Sequence, residues 1–268
     1  PLAKGDFLGA FGLTEPNAGT DASGQQTRAE DKGDHWLLNG AKVFITNGGY
    51  ADVFVVMAMT DKSKRTRGIS SFIVEKGFEG FSIGKTEDKM GICGSSTTDL
   101  VFQNCKVPKE NLLGEVGQGF KIALSTLDGG RIGIASQALG IAQGAFDVTV
   151  EYMKARKQFG KRLADMEALR FEMADMKTRI DAARLLIYRA ADSKDRRLPY
   201  GPESAAAKLY ASETAMYVTT KAVQLHGGYG YTRDYPVERM MRDAKITEIY
   251  EGTSEAQKLV IAASIFAK

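Results

Sequence analysis

The apolar pattern changes period once along this 268-residue chain, near residue 110, and that change limits the fold more than any single motif. Before it, short apolar runs at 35–38, 41–46, 53–59, 69–74 and 100–102 are separated by turn residues. Asn39-Gly40 between the first two runs predicts a hairpin, because both turn residues accept positive φ. Many short strands with no helix between them predict a small antiparallel barrel or sandwich and exclude a dinucleotide-type βαβ fold. After Gly117 the spacing becomes helical. Leu139, Ala142, Phe146, Val150 and Met153 share one face, and Leu169, Met173, Met176, Ile180, Ala183, Ile187 and Ala190 form a second seam. Ala206, Leu209, Met216 and Val223 make a third set, and Ala256, Leu259, Val260, Ala263 and Phe266 a fourth. With Pro199 and Gly201-Pro202 marking the second junction, four helices and short connections predict an up-and-down bundle. The expected class is α+β multidomain, with a β-domain over 1–112 and a helical bundle over 113–268.

Composition narrows the function classes. The 36 basic and 33 acidic side chains leave a net charge of only +3 with no Lys/Arg block, so nucleic acid is not indicated. Cys93 and Cys105 are too few and too far apart for a disulfide framework or a zinc knuckle. His35 and His226 are the only histidines, which excludes a multi-histidine metal site, and no metal is expected. No run of about eighteen apolar residues spans a membrane, and the N-terminal residues carry no signal or transit pattern. The expected location is the bacterial cytoplasm or the mitochondrial matrix.

The residues that carry chemistry concentrate at 249–255. Glu251 stands on a short turn beside Gly252, and Ser254 with Gln257 has the spacing of a capping box, predicting a helix from there to Phe266. A carboxylate just before a helix N-terminus has free backbone N–H groups beside it, which suits proton abstraction from carbon next to a stabilised oxyanion. The same placement also serves as a favourable charge on the helix dipole. Spacing alone does not separate Glu251 from Glu248 or Glu255 as the base. Hydroxyls and amides on the turn at 14–20 suit a flavin edge or a phosphate oxygen. Arg156 offers a planar fork to a diphosphate, or is a surface arginine. Asp128 and Arg131 form at least an i,i+3 ion pair.

Taken in order, Leu13-Thr14-Glu15-Pro16-Asn17-Ala18-Gly19-Thr20-Asp21, Lys42-Val43-Phe44-Ile45-Thr46-Asn47-Gly48, Arg156-Lys157-Gln158-Phe159-Gly160-Lys161, Gln224-Leu225-His226-Gly227-Gly228-Tyr229-Gly230-Tyr231 and Tyr250-Glu251-Gly252-Thr253 resemble the acyl-CoA dehydrogenase family. The short-chain, butyryl-type members look nearest, and the resemblance covers essentially the whole chain. It implies FAD-dependent α,β-dehydrogenation of a short-chain acyl-CoA in fatty acid β-oxidation, with electrons passed to an electron-transferring flavoprotein. It selects Glu251 as the base. Phe11, Leu13, Thr14, Thr20, Phe44, Ile45 and Thr46 would line the flavin. Arg156 would reach the FAD of a neighbouring subunit, Gln158 and Phe159 would also bind the cofactor, and Gln224, Gly227 and Gly228 would contact its adenosine-diphosphate part. Thr253, Ser254 and Glu255 would also lie near FAD. Thr20, Asp128, Arg131, Tyr250 and Gly252 would meet the acyl-CoA. A homo-oligomer, dimer or tetramer, follows from cofactor sites shared between subunits. Phe44 stands where many relatives carry Trp, and Glu167 where many carry Gln. The family's N-terminal helical domain is expected to be missing from this sequence. A non-catalytic flavin-binding or oligomerisation module and a flavin oxidase of the same superfamily are the alternatives.

Overall fold

The computed structural model describes residues 1–267, which form two compact units: Pro1–Lys89 with Cys93–Thr126, and Met90–Ile92 with 127–267. The first unit is one sheet of eight strands: β1 (Gly9–Gly12), β2 (Arg28–Asp31), β3 (His35–Thr46), β4 (Val53–Met59), β5 (Ile69–Glu75), β6 (Phe81–Thr86), β7 (Thr97–Pro108) and β8 (Leu112–Leu113). The order is β6-β7-β3-β2-β4-β5-β8, with β1 laid against β4. Pairing is antiparallel except for β1 and β2, which both run parallel to β4. Alternation along the long strands sends Trp36, Leu38, Phe54, Phe72, Leu100 and Phe102 into one apolar core. There Phe81 packs on Phe54 and Phe102 at centroid distances of 4.8 and 5.3 Å.

Two strand expectations change. Asn39-Gly40 is not a hairpin turn: β3 runs through it from His35 to Thr46, paired along its length with β7. The register shifts there, Gly40 has φ 146°, and a Cβ on it would lie 2.7 Å from the Thr27 Cα. Glycine is needed for close approach of β2, and Asn39 Oδ1 accepts the Asn104 N–H at 2.8 Å. The short run expected at 100–102 is the middle of the twelve-residue β7.

A buried ion pair fixes the turn that follows β1. The Lys42 ammonium, fully removed from solvent, donates to Glu15 Oε1 at 2.7 Å, to Gln25 Oε1 at 3.1 Å and to the Leu13 carbonyl at 3.1 Å. Glu15 also accepts the N–H groups of Gln26 at 2.6 Å and Thr27 at 3.1 Å. Burial pushes the Glu15 carboxyl upward, but Lys42 and these donors outweigh it and hold it below the ordinary range. The same burial brings Lys42 down to about 8, against the attraction of Glu15.

The second unit contains five α-helices: α1 (Gly119–Ala155, entering from the first unit), α2 (Glu167–Asp195), α3 (Gly201–His226), α4 (Val237–Lys245) and α5 (Ser254–Phe266). A two-strand hairpin, β9 (Lys157–Gln158) and β10 (Lys161–Arg162), links α1 to α2. The α1 and α2 seams behave as expected, with Leu139, Ala142, Met153, Met176, Ile180, Ala183, Ile187 and Ala190 in the core. The third seam is displaced. Ala206, Leu209, Met216 and Val223 are half-buried, while Ala205, Ala207, Ala211, Ala215, Val218 and Ala222 are buried. Small residues let α2, α4 and α5 approach α3, so its fully buried positions are those without bulk. The fourth seam is overturned. Leu259, Ala263 and Phe266 are exposed, and α5 buries Ser254 and Gln257 instead. No periodicity had indicated α4, whose nine residues are rich in charge.

Lys42→Met should destabilise the first unit by about 3–5 kcal/mol, because it leaves the Glu15 carboxylate buried without its cation. Lys42→Met with Glu15→Gln should recover most of that loss in urea denaturation. The depressed Glu15 ionisation contributes stability above the unfolded carboxyl value, and acidification through the lower folded value should remove it.

Candidate active site

The last connection of the helical unit places Glu251. After α4, a 3₁₀ turn over Ile246–Glu248 ends with the Ile249 and Tyr250 N–H groups bonded to the Ile246 carbonyl. Glu251 then takes φ 55° and Gly252 φ 91°, two consecutive left-handed residues that reverse the chain into α5. The cap is one residue earlier than expected: Thr253 Oγ1 accepts the Ala256 N–H at 3.2 Å. Ser254 Oγ is buried without a partner, and Gln257 turns back to donate to the Glu251 and Gly252 carbonyls at 3.1 and 2.8 Å. The carbonyls that Gln257 caps are those of the strained turn itself.

Three neighbours shape the Glu251 carboxyl. α1 comes close through Gly130, where a Cβ would lie 2.4 Å from Glu251 Oε2. Arg131 is buried on the same helix and donates to Asp128 Oδ1 at 2.7 Å, with its Nε unpartnered. Lys208, with no exposed surface, reaches from α3 to the Gly252 carbonyl at 2.7 Å. Burial pushes the Glu251 ionisation up, and the positive charges of Arg131 and Lys208 offset part of that rise. The same desolvation brings Lys208 down to about 8, against the field of Glu248, Glu251 and Glu255.

The other two carboxylates differ in kind. Glu248 pairs with Lys245 at 2.6 Å. Glu255 is exposed in the first turn of α5, where its own N–H and Thr253 lower its ionisation. Tyr250 bonds to Gln137 of α1, and burial pushes its phenol to about 12. No hydrogen bond to the Glu251 N–H occurs among the described residues. A half-buried carboxylate with a raised ionisation, next to a free N–H ahead of a helix, can accept a proton from carbon while an oxyanion is held nearby.

At the hairpin after α1, Phe159 (φ 52°) and Gly160 (φ 76°) form the turn, and the Phe159 ring is 95% exposed. Gln158 lies on β9 beside it. A cavity of about 530 Å³ in the helical unit is lined by Arg156, Gln158, Gln224, Gly227, Gly228 and Tyr229, so it unites two stretches that the sequence separates. A Cβ on Gly227 or Gly228 would meet nothing within 4 Å, which leaves this backbone open to a ligand. His226 stacks on Tyr152 at 4.1 Å behind the turn, and Arg156 lies over the Tyr229 ring at 5.2 Å.

In the β-unit the predicted flavin residues converge where the turn after β1 meets β3. The Val43 N–H donates to the Thr14 carbonyl at 2.9 Å. Phe11 is half-buried on β1, Leu13 is buried above the Lys42 ammonium, and Ile45 enters the core. Phe44 sits at φ 60° in a register shift of the β3–β7 pairing, with 63% of its surface exposed and Thr46 exposed two residues on. Thr20 is exposed at the end of the turn. An aromatic side chain held in a left-handed bulge and turned to the surface carries strain that a ring-shaped ligand could offset.

Residues 10–105 match the profile of the acyl-CoA dehydrogenase middle domain, and residues 117–266 that of its C-terminal domain. The chain belongs to the acyl-CoA dehydrogenase family. It is 65% identical over 266 residues to a short-chain-specific acyl-CoA dehydrogenase of Clostridium acetobutylicum, covering 99% of this chain and 70% of that protein. Its structure resembles butyryl-CoA dehydrogenase from Megasphaera elsdenii with a TM-score of 0.98 and 60% identity, over 99% of this chain and 70% of the other. A chain from a structure described as the electron transferring flavoprotein of Acidaminococcus fermentans is also similar, with a TM-score of 0.99 and 59% identity. It matches 100% of this chain, which covers 70% of that one. Membership makes this acyl-CoA dehydrogenase an FAD-dependent oxidoreductase.

The residues present fit that cofactor. The open Gly227-Gly228 backbone beside Arg156 and Gln224 offers donors suited to a diphosphate, and exposed Phe44 offers a flat apolar face. Sequence reasoning missed Gly130, Gln137 and Lys208. Lys208 did carry a signal, as the one charge among Ser204, Ala205, Ala207, Ala211 and Ala215 on a small-residue face.

Gly130→Ala tests the close approach of α1. Alanine favours a helix over glycine by about 1 kcal/mol, so the protein should melt no lower. The added methyl displaces only the tip of the Glu251 side chain, and acyl-CoA turnover should fall at least ~10-fold, the effect of an ångström-scale misplacement.

Proposed function

We propose that the protein catalyses α,β-dehydrogenation of a short-chain acyl-CoA to the trans-2-enoyl-CoA, with Glu251 removing the α-proton. The observation that carries this reading is the Glu251 carboxylate itself, desolvated yet faced by Arg131 and Lys208 at a strained turn before α5. Desolvation strengthens the carboxylate as a base, and the two cations favour its charged form. The free Glu251 N–H would take the thioester oxygen as negative charge develops there. Tyr250 and Gly252 flank the base on the same turn and would border the acyl chain, while Asp128, Arg131 and Thr20 are the further acyl-CoA residues.

FAD, when bound, supplies the acceptor at flavin N5 for the hydride that leaves the β-carbon. Thr14, Phe44 and Thr46 would pack and hydrogen-bond a flavin ring, and Arg156 would reach the diphosphate of a neighbouring subunit's FAD, with Gln224 and Gly228 at the adenosine-diphosphate part. The electron acceptor in this reading is an electron-transferring flavoprotein, the protein named in the description of the similar Acidaminococcus structure. A homo-oligomer is proposed as well, supported by the apolar side chains left exposed at Phe159 and on α2 and α5. A non-catalytic module would have no use for a desolvated, strained carboxylate. An oxidase would differ in how fast its reduced form reacts with oxygen.

Anaerobic addition of butyryl-CoA to the FAD-loaded protein should bleach the flavin absorbance. Glu251→Gln should keep FAD and lose ~10²-fold or more of the bleaching rate, the usual scale for a general base. An unchanged rate would sink the assignment. The variant should also melt higher at neutral pH. A folded ionisation raised above the unfolded one means that stability falls as pH rises through that window, and glutamine removes the penalty.

A further inference from the structure

The geometry points to Lys208 as a positioning residue for the base, one that fixes the Glu251-Gly252 turn through the Gly252 carbonyl and places a buried positive charge beside the Glu251 carboxyl. This inference rests on the reading of Glu251 as the base. Its ammonium lies 2.7 Å from the Gly252 oxygen, and the Gln257 amide meets the same oxygen at 2.8 Å. One carbonyl thus accepts from two side chains, both fully buried, one on α3 and one on α5. That carbonyl belongs to the second of two consecutive left-handed residues, so holding it holds the turn that carries Glu251.

A lysine has no packing reason to occupy this position. The neighbouring buried positions of α3 are alanine and serine, and burying an ammonium is costly unless it is well partnered. Its charged surroundings are Glu248, Glu251 and Glu255 on or beside the turn and Arg131 on α1, with Asp128 bound to Arg131. Glu248 is neutralised by Lys245, and Glu255 lies in solvent at the start of α5. Arg131 shares its charge with Asp128. Among the described residues Lys208 has no carboxylate bonded to it, and its field adds to the larger one of Arg131 in favouring the charged form of Glu251.

The test compares Lys208→Met, which keeps the length and loses the charge and the hydrogen bond, with Gln257→Leu, which loses hydrogen bonds only. Both are made in the FAD-loaded protein. The Glu251 carboxyl is titrated by difference infrared spectroscopy against Glu251→Gln, and butyryl-CoA reduction is followed across pH. Lys208→Met should move the carboxyl titration and the acidic limb of kcat upward together by about one pH unit, the size expected for removing a nearby buried charge. Its kcat at neutral pH should fall about tenfold or more, with KM nearly unchanged. Gln257→Leu should lower kcat without moving the limb. A Lys208→Met protein that folds, binds FAD and titrates as the parent does would overturn the proposal, as would loss of kcat with the limb unmoved. Should Glu251→Gln retain full activity, the base assignment fails instead, and the infrared shift still reports whether Lys208 controls the carboxyl.

Discussion

A carboxylate drawn out of water needs positive charge close by, and the helical unit is arranged around that need at Glu251. Two helices contribute. α1 brings Arg131 and, through Gly130, a backbone close enough to touch the carboxyl. α3 brings Lys208 through a face otherwise made of small residues. Burial raises the affinity of the carboxylate for a proton, and the cations limit the rise.

The β-unit uses the same device with a different partner. Lys42 is buried under the turn after β1 and donates to a main-chain carbonyl, that of Leu13, as Lys208 donates to that of Gly252. In the first case the charge is matched by Glu15, and the result is a rigid turn. In the second, among the described residues, no carboxylate is bonded to the ammonium, and Glu251 lies within its field.

Backbone strain also occurs at three of the candidate site residues. Phe44, Phe159 and Glu251 all stand at positive φ, which costs a side-chain-bearing residue of order 1 kcal/mol or more. Each is also a residue that the family resemblance assigns to cofactor or catalysis. The two phenylalanines are more than half exposed, where burial gives nothing back to offset the strain. Strain that is not relieved within the chain is consistent with a surface shaped for a ligand.

The sequence by itself determined the class of each unit, because the period of its apolar residues switches from strand to helix and the α1 and α2 seams are long enough to be unambiguous. It also marked the stretches proposed to carry chemistry, since glycine turns and a carboxylate before a helix are local signals. Tertiary structure decided the rest. Asn39-Gly40 has the local chemistry of a hairpin, yet β7 pairs across it and β2 crowds it, so the strand continues. The α5 stripe reads as core but stays exposed, because helical spacing says which residues share a face and not whether anything covers it. Glu251 could not be separated from Glu248 and Glu255 by spacing. Their environments separate them, through Lys245 on one, solvent on another, and Gly130, Arg131 and Lys208 around the third. Those partners lie 120 and 43 residues or more away in the chain, a distance over which desolvation and charge act only once the fold has brought them together.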